Sequence, residues 1–122
     1  FLNAQLKPGI DIVMETVGFA DKLDGANLVI TGEGRIDGQT VFGKTPMGVL
    51  KQAKMKGVAT IGIAGSLGKG SDVILTHGML AMFPIIPALD SLDTVLARAE
   101  KNLINSSKNI ASILKLGQNL SE

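Results

Sequence analysis

Three short apolar runs, each followed by a turn-forming segment and a helical pattern, constrain the fold of this 122-residue chain most strongly. The runs cover residues 26–31, 58–64 and 79–86, and a glycine precedes each of them. Runs of this length and composition are typical of strands that are buried on both faces. Because strands and helical segments alternate, the sequence predicts an α/β fold, a parallel sheet with a helical layer on each side.

Helical segments are predicted around these strands from the spacing of apolar residues. They cover residues 9–23, 46–56, 71–77 and 91–116, and the last is a long amphipathic helix. In open parallel sheets, ligands bind beyond the carboxyl ends of the strands. We therefore expect functional residues in the segments that directly follow the predicted strands.

The composition excludes several classes of protein. A net charge of +1 gives no strong field that would attract nucleic acid or an acidic membrane surface. The chain has no cysteine, which excludes disulfides and thiolate metal sites. The apolar stretch over residues 79–88 is interrupted by Pro84 and Pro87 and is too short to span a bilayer. Since there is also no signal-peptide pattern, we expect a cytoplasmic protein.

Residues 32–43 form a polar, glycine-rich segment that we predict to be a loop after the first strand. Gly32 and Gly34 would let backbone N–H groups approach an anion closely. Arg35 could hold a carboxylate or phosphate through two parallel hydrogen bonds. The alternative is a solvated loop that is closed by an internal ion pair.

Two carboxylates in the same segment are candidates for metal or proton chemistry. Glu33 and Asp37 could hold Mg²⁺ directly or through water, or one of them could accept the proton of a substrate hydroxyl. Both follow the same strand, so we expect them at the same edge of the sheet.

Residues 38–45 match the P-loop pattern G-x-x-x-x-G-K-[ST]. A P-loop follows its strand directly, whereas the predicted strand ends near Thr31, so we interpret the match as accidental. Lys44 could still reach a phosphate as a point charge near the start of the helix predicted over 46–56. An ordinary surface lysine is an equally good interpretation.

The second predicted loop covers residues 65–71 and is also rich in glycine. Its small residues Gly65 and Ser66, with Lys69, suit a phosphate or a carboxylate, although a plain flexible turn fits equally well. His77 stands alone beside a predicted helix end, and we expect no catalytic role for it.

The run ANLVITGEGRIDGQ over residues 26–39 resembles the signature of the type I glycerate 2-kinases, the glycerate kinase family. Its core is Gly-Glu-Gly-Arg-x-Asp-x-Gln. The resemblance extends over essentially the whole chain in order. The further blocks that carry it are Gly43-Lys44 with Pro46 and Gly48-Val49, then residues 61–66, Leu92-Asp93 and residues 109–111.

This resemblance implies an ATP-dependent and Mg²⁺-dependent transfer of phosphate to D-glycerate, which gives 2-phosphoglycerate. It implies two α/β domains, of which one is flavodoxin-like and formed from both ends of the chain, while the other is inserted into it. Residues 1–122 would be the C-terminal part of the flavodoxin-like domain, and residues 1–25 would be the return from the inserted domain. The N-terminal part of the enzyme would be a required partner, so the chain alone is expected to be inactive.

The resemblance also suggests roles for individual residues. Arg35 or Lys44 would bind the glycerate carboxylate or a phosphate, and Glu33 or Asp37 would serve the metal or the attacking hydroxyl. Gln39 would orient the substrate. The residues expected to line the substrate and phosphate site are Gly32, Gly34, Gln39, Gly65 and Ser66.

Two other interpretations stay open from the sequence. One is a non-catalytic flavodoxin-like binding module, such as a flavin carrier or a phospho-receiver. The chain has four phenylalanines but no tryptophan or tyrosine, which gives a flavin few rings to stack on. The other is an interaction module that exposes apolar surface for a partner or for a second copy of itself.

Overall fold

The computed structural model describes residues 9–121. Three strands form one parallel sheet in the order β1-β2-β3, and they are β1 (Leu28–Ile36), β2 (Ala59–Leu67) and β3 (Ala81–Pro84). Leu28 lies opposite Ala59, and the same register continues to the ends of both long strands. This confirms the predicted α/β fold with a parallel sheet, which fits an incomplete flavodoxin-like domain.

Six helices accompany the sheet within the described residues. None of them is both long and apolar enough to cross a membrane. Two of the six are single turns, so the sheet is covered mainly by the longer helices. Their bounds are α1 (Gly9–Val17), α2 (Phe19–Lys22), α3 (Thr45–Met55), α4 (Val73–Thr76), α5 (Leu92–Ala97) and α6 (Ala99–Leu120).

Two predicted helices are each divided in the structure. The segment predicted as one helix over 9–23 is interrupted by Gly18, whose φ of 66° is left-handed. The segment predicted over 91–116 is interrupted at Arg98, and it continues beyond residue 116 to Leu120. The apolar spacing continues across both breaks, so periodicity alone did not reveal them. The prediction that residues 1–25 return from another domain stays a prediction, and its first eight residues lie outside the described part.

The strand boundaries also differ from the prediction. β1 continues through the glycine-rich residues 32–36, and β2 continues through residues 65–67, both of which were predicted to be loops. These residues pair in register across the two strands, because a parallel ladder is made of backbone groups and needs no apolar side chains. The third strand is shorter than the predicted 79–86. The turns after β1 and β2 therefore begin only at Asp37 and Gly68.

One face of the sheet is closed by α3. Val29 on β1 packs against the cluster that holds Ala53 of α3, so odd-numbered residues in the first half of β1 point to this side. Each fully buried leucine or isoleucine in such a core contributes about 1.5–3 kcal/mol. The main cluster on this side consists of Ile36, Met47, Leu50, Ala64, Ile74 and Met79, all at most 4% exposed.

The opposite face of the sheet lies against α5 and α6 and is much more open. Ile30 on β1 is 52% exposed, and Leu96 of α5 is 63% exposed. Ile110 of α6 is buried. Within the described residues β1 has a neighbouring strand on one side only, so its outer edge is unpaired. The closed face thus holds the fold together, while the open face leaves apolar surface in contact with water.

Candidate functional site

The ends of β1 and β2 lie side by side, and the turns that follow them are in contact. The N–H group of Gly68 donates to the carbonyl of Ile36 at 2.7 Å, and the N–H group of Gly38 donates to the carbonyl of Lys69 at 3.0 Å. The two segments that the sequence singled out are therefore joined at the carboxyl edge of the sheet. This is the edge at which open parallel sheets bind ligands.

The glycines predicted to cradle an anion stand within the strands. A Cβ at Gly65 would lie 2.5 Å from the carbonyl oxygen of Gly34, so the close approach of β1 and β2 here requires glycine. Gly32 faces only ordinary contacts. Ser66 pairs with Arg35 across the two strands, so β2 brings Ser66 to the same edge.

Glu33 is half-buried near the end of β1. Its Oε1 accepts a hydrogen bond from the N–H group of Gly34 at 3.0 Å. Gly34 therefore does not offer its amide to a ligand in this arrangement. The second oxygen of Glu33 accepts no hydrogen bond from another described residue and stays available to a cation or a hydroxyl.

Asp37 begins the turn after β1 and is held by that turn. Its Oδ1 accepts from the N–H group of Gln39 at 2.9 Å. Thr40, which is fully buried, accepts from the N–H group of Asp37 through Oγ1 at 3.0 Å and donates its own N–H to the Asp37 carbonyl at 3.1 Å. This reciprocal pattern resembles a helix capping box and fixes the direction of the carboxylate.

The pKa of Asp37 is lowered below its usual value. The main cause is the hydrogen bond from the Gln39 N–H group, and the charges of Lys44 and Arg35 act in the same direction, while partial desolvation opposes them. Asp37 is therefore ionised across the physiological pH range. Its ionised form stabilises the fold above the usual carboxyl pKa, and this stabilisation is lost as the pH falls through the lowered pKa.

Arg35 extends from the last part of β1 toward Asp37. Its Nε lies 3.3 Å from Asp37 Oδ2, and its side chain is 61% exposed. No other hydrogen bond to its guanidinium is present among the described residues, although the backbone of Gly68 lies against one of its two terminal NH₂ groups. A planar cation that is anchored at one edge in this way can bind a carboxylate or phosphate with its free fork.

Lys44 is exposed and directly precedes α3. No side chain caps this helix, and the N–H groups of Met47 and Gly48 in its first turn already donate to the Lys44 carbonyl, at 3.0 and 3.2 Å. Lys44 contributes to the lowered pKa of Asp37, which places its charge near the carboxylate. Gln39 is exposed on the same turn, with its backbone bound to Asp37.

The P-loop pattern over residues 38–45 lies closer to its strand than predicted. β1 ends at Ile36, so the prediction of a strand end near Thr31 is wrong. Strand, loop and helix do follow one another as a P-loop requires. A P-loop, however, directs its backbone N–H groups at phosphate, and several of these groups are bonded internally here. The N–H groups that donate within the protein are those of Gly38, Gln39, Thr40 and Phe42. The match is therefore not a working P-loop.

The carboxylates do not form a preassembled metal site. Within residues 9–121 no three His, Cys, Asp or Glu side chains come together. Mg²⁺ is commonly held by one or two carboxylates together with substrate phosphates, so a single free carboxylate oxygen is compatible with it. Glu33 meets that description better than Asp37, because both Asp37 oxygens already accept hydrogen bonds.

Two residues that position this site were not predicted. Thr40 holds the turn that carries Asp37, and Gly68 lies directly against the guanidinium of Arg35. The spacing Asp-x-x-Thr is a recognisable local turn signal and could have identified Thr40. The contact between Gly68 and Arg35 joins two different turns, and no local pattern reveals it.

An apolar cleft opens on the other side of β1. Its volume is about 480 Å³, and it lies between the carboxyl halves of β1 and β2 and the helices α5 and α6. Asn102 of α6 lines it, is 8% exposed, and has no side-chain hydrogen bond to a described residue. The apolar side chains around it include Ile30, Ile63, Ile86, Val95, Leu96 and Leu103.

Comparison with known proteins identifies one family. The sequence profile described as the glycerate kinase family matches residues 1–115. The glycerate kinase of Bacillus subtilis is 46% identical over 120 residues, which are 98% of this chain and 31% of that protein. The glycerate 2-kinase of Escherichia coli is 42% identical over 96% of this chain and 31% of its own length. The chain therefore spans about a third of the curated relatives that it matches.

A solved structure agrees with these relatives. A crystal structure named as glycerate kinase 2 from Salmonella typhimurium superimposes with a TM-score of 0.70 and 43% identity, over 96% of this chain and 28% of the other. These similarities favour a kinase over the flavin carrier and the phospho-receiver.

Proposed function

The chain belongs to the glycerate kinase family, and from this membership we propose that the protein containing it transfers the γ-phosphoryl group of ATP to D-glycerate, giving 2-phosphoglycerate. The observation that carries the proposal is the 61% exposed side chain of Arg35, which lies at the carboxyl edge of the sheet within the segment typical of the family. Phosphoryl transfer needs positioned charges more than covalent chemistry, and this edge supplies them. A cytoplasmic location fits this metabolic role and is part of the proposal.

Arg35 binds the carboxylate of glycerate in this account. The carboxylate of the substrate is planar, and a guanidinium whose terminal NH₂ groups make no hydrogen bond among the described residues matches it with two hydrogen bonds. Asp37 holds Nε at 3.3 Å and so fixes the direction of the fork before the substrate arrives. Asp37 stays ionised, and its remaining lone pairs can accept a hydrogen bond from the hydroxyl group that is phosphorylated.

Lys44, which directly precedes α3, binds phosphate oxygens. Lys44 acts as a point charge, and the dipole of α3, whose N-terminus it precedes, acts in the same direction. Glu33 is the carboxylate that would hold Mg²⁺, which when bound neutralises developing charge on the phosphate oxygens. Gln39, Gly65 and Ser66 lie around the same edge and complete the surface that the substrates contact.

The rest of the enzyme covers the open face of this chain. The chain spans about 30% of its relatives, and the apolar cleft beside β1 leaves apolar side chains uncovered among the described residues. A segment that adds a strand to β1 and places apolar side chains over Ile30 and Leu96 would pair the outer edge of β1 and cover this cleft. A polar group on that segment would pair with Asn102.

A chimera tests the proposed activity directly. This chain replaces the matching segment of the Bacillus subtilis glycerate kinase, to which it is 46% identical. We expect ATP-dependent and Mg²⁺-dependent formation of 2-phosphoglycerate, identified by ³¹P NMR. Arg35→Ala should lower kcat/KM for D-glycerate by about 10²-fold or more, as the loss of a preorganised charged donor does elsewhere.

Matched variants separate a specific role from a general loss of charge. Arg35→Lys keeps the charge but removes the fork, so it should stay strongly impaired. Arg98→Lys, the same change at the other arginine of the chain, should be close to the unchanged chimera. A folded chimera that makes no phosphoglycerate, or one in which Arg35→Ala is as active as its parent, would contradict the proposal.

A further inference from the structure

We infer that Gly68, in the turn after β2, is the positioning residue that sets where the Arg35 guanidinium lies. A Cβ built on Gly68 would lie 2.6 Å from Nε and 2.7 Å from Cζ of Arg35, and closer still to one terminal NH₂ group. The guanidinium therefore occupies the space that a side chain at residue 68 would take. This inference rests on the proposed function only for the identity of the anion that Arg35 binds.

The backbone at Gly68 is a fixed surface and not a loose turn. Its N–H group donates to the Ile36 carbonyl at 2.7 Å, and its carbonyl accepts from the N–H group of Ser71 at 3.1 Å. The bond to Ile36 ties this surface to the strand that carries Arg35. A side chain added at residue 68 would therefore displace the Arg35 guanidinium, because these two hydrogen bonds hold the turn in place.

Arg35 is thus held from two directions. Asp37 accepts from Nε at one edge, while the Gly68 backbone lies close to the same part of the guanidinium. The terminal NH₂ groups make no hydrogen bond to any of residues 9–121, so their N–H donors remain for a ligand. A guanidinium confined in this way loses less conformational freedom when it binds a carboxylate or phosphate.

The space at Gly68 is filled by the far end of a flexible side chain. Alanine can therefore be accommodated at residue 68 if the guanidinium moves away, with little effect on the rest of the fold. Gly68 does not have a positive φ angle, so alanine at this position brings no backbone strain. Gly68→Ala should displace Arg35 from Asp37 while the protein stays folded.

The first measurement is the NMR signal of the arginine Nε–Hε groups, of which the chain has only two, those of Arg35 and Arg98. In Gly68→Ala we expect the Arg35 signal to move toward that of an unbonded arginine, while the Arg98 signal stays in place. Gly38→Ala is the matched control, because its Cβ would meet only ordinary contacts at 3.5 Å or more in the facing turn. It should leave both signals unchanged.

The second measurement is anion binding, in titrations with inorganic phosphate and separately with D-glycerate. Gly68→Ala should weaken binding of the anion that Arg35 holds by about tenfold, equivalent to one charge-assisted hydrogen bond. The added change Gly68→Ala in an Arg35→Ala background should have no further effect. The titration that loses affinity identifies whether Arg35 holds a carboxylate or a phosphate.

Three results would overturn the inference. They are an unmoved Arg35 signal in Gly68→Ala, an equal loss of binding in Gly38→Ala, or a further loss of binding when Gly68→Ala is added to Arg35→Ala. In the chimera, the matching readout is a raised KM for D-glycerate with a smaller change in kcat. Neither the NMR signal nor the phosphate titration needs kinase activity, so these arms can fail or succeed separately from the proposed function.

Discussion

The two sides of the sheet differ in how completely their apolar side chains are covered by the described residues. On the α3 side, Leu50 and Ile36 are buried, and at the adjoining carboxyl edge Asp37 is bonded by Gln39 and Arg35. On the α5 and α6 side, Ile30 is half exposed and Asn102 is buried without a side-chain partner among the described residues. The first side resembles the interior of a finished protein, and the second resembles a surface that another segment covers.

The largest expected difference between the two sides is in the effect of truncating a leucine. Leu50→Ala on the α3 side should lower the free energy of unfolding by about 2–5 kcal/mol, because it leaves a cavity in a closed core. Leu96→Ala on the open side should change it by less than about 0.5 kcal/mol, because Leu96 is 63% exposed. Urea denaturation of the chain measures both. Equal losses would show that the open side is already closed in solution.

The next effect concerns the place where β1 and β2 approach most closely. A Cβ at Gly65 would lie 2.5 Å from the Gly34 carbonyl oxygen, so Gly65→Ala should cost about 1–3 kcal/mol by forcing the strands apart. Gly34→Ala is the control at the same contact, because its Cβ meets nothing within 4 Å. It should be close to neutral in the same denaturation assay. Similar values for the two variants would contradict the close approach.

A smaller effect, which should depend on pH, is expected at Asp37 at the carboxyl edge of the sheet. The folded chain lowers the pKa of Asp37, so the ionised carboxylate stabilises the fold above the ordinary carboxyl pKa of about 4. Asp37→Asn should therefore reduce stability at pH 7, and the gap should close as the pH falls below that value through the lowered pKa. Denaturation at several pH values measures it, and a gap that does not vary with pH would remove this role of the carboxylate.

The smallest effect is expected at Asn102 on the open side. Asn102 is 8% exposed, lines the apolar cleft and has no side-chain hydrogen bond to a described residue, so Asn102→Leu should leave the stability of the isolated chain unchanged or raise it by up to about 1 kcal/mol. The same change should weaken association with the rest of the enzyme, if a polar group there pairs with the amide. A clear loss of stability in the isolated chain would show that Asn102 already has a partner.

Much of the fold follows from the sequence, because burial and periodicity determine it locally. The apolar runs gave the three strands and their parallel arrangement, since each is separated from the next by a helical segment. The ends of the strands could not be predicted. Residues 32–36 look like a loop because they are polar and rich in glycine, yet their backbone continues the ladder with β2. Likewise, nothing in the apolar spacing marks the break at Arg98.

Part of the candidate site could also be predicted from the local sequence. Arg35 and Asp37 could be identified because they follow a predicted strand at the edge where open parallel sheets bind ligands, and the structure places Arg35 Nε 3.3 Å from Asp37 Oδ2. The roles proposed for them stay predictions. The contact of Gly68 with Arg35 depends on the register of two strands and two turns. Such a contact between distant segments carries no local signal, so only the three-dimensional arrangement reveals it.

The most direct test asks two questions in one measurement: whether the open face of this chain binds the rest of the enzyme, and whether the completed enzyme is active. This chain is mixed with a Bacillus subtilis glycerate kinase that lacks the matching segment, and ATP-dependent formation of 2-phosphoglycerate is followed. We predict that neither part is active alone and that mixing restores activity. Leu96→Glu on the open face should prevent this, whereas Met55→Glu, at an 81% exposed position of α3, should not. Activity of the isolated chain, or restored activity that Leu96→Glu does not affect, would contradict the account.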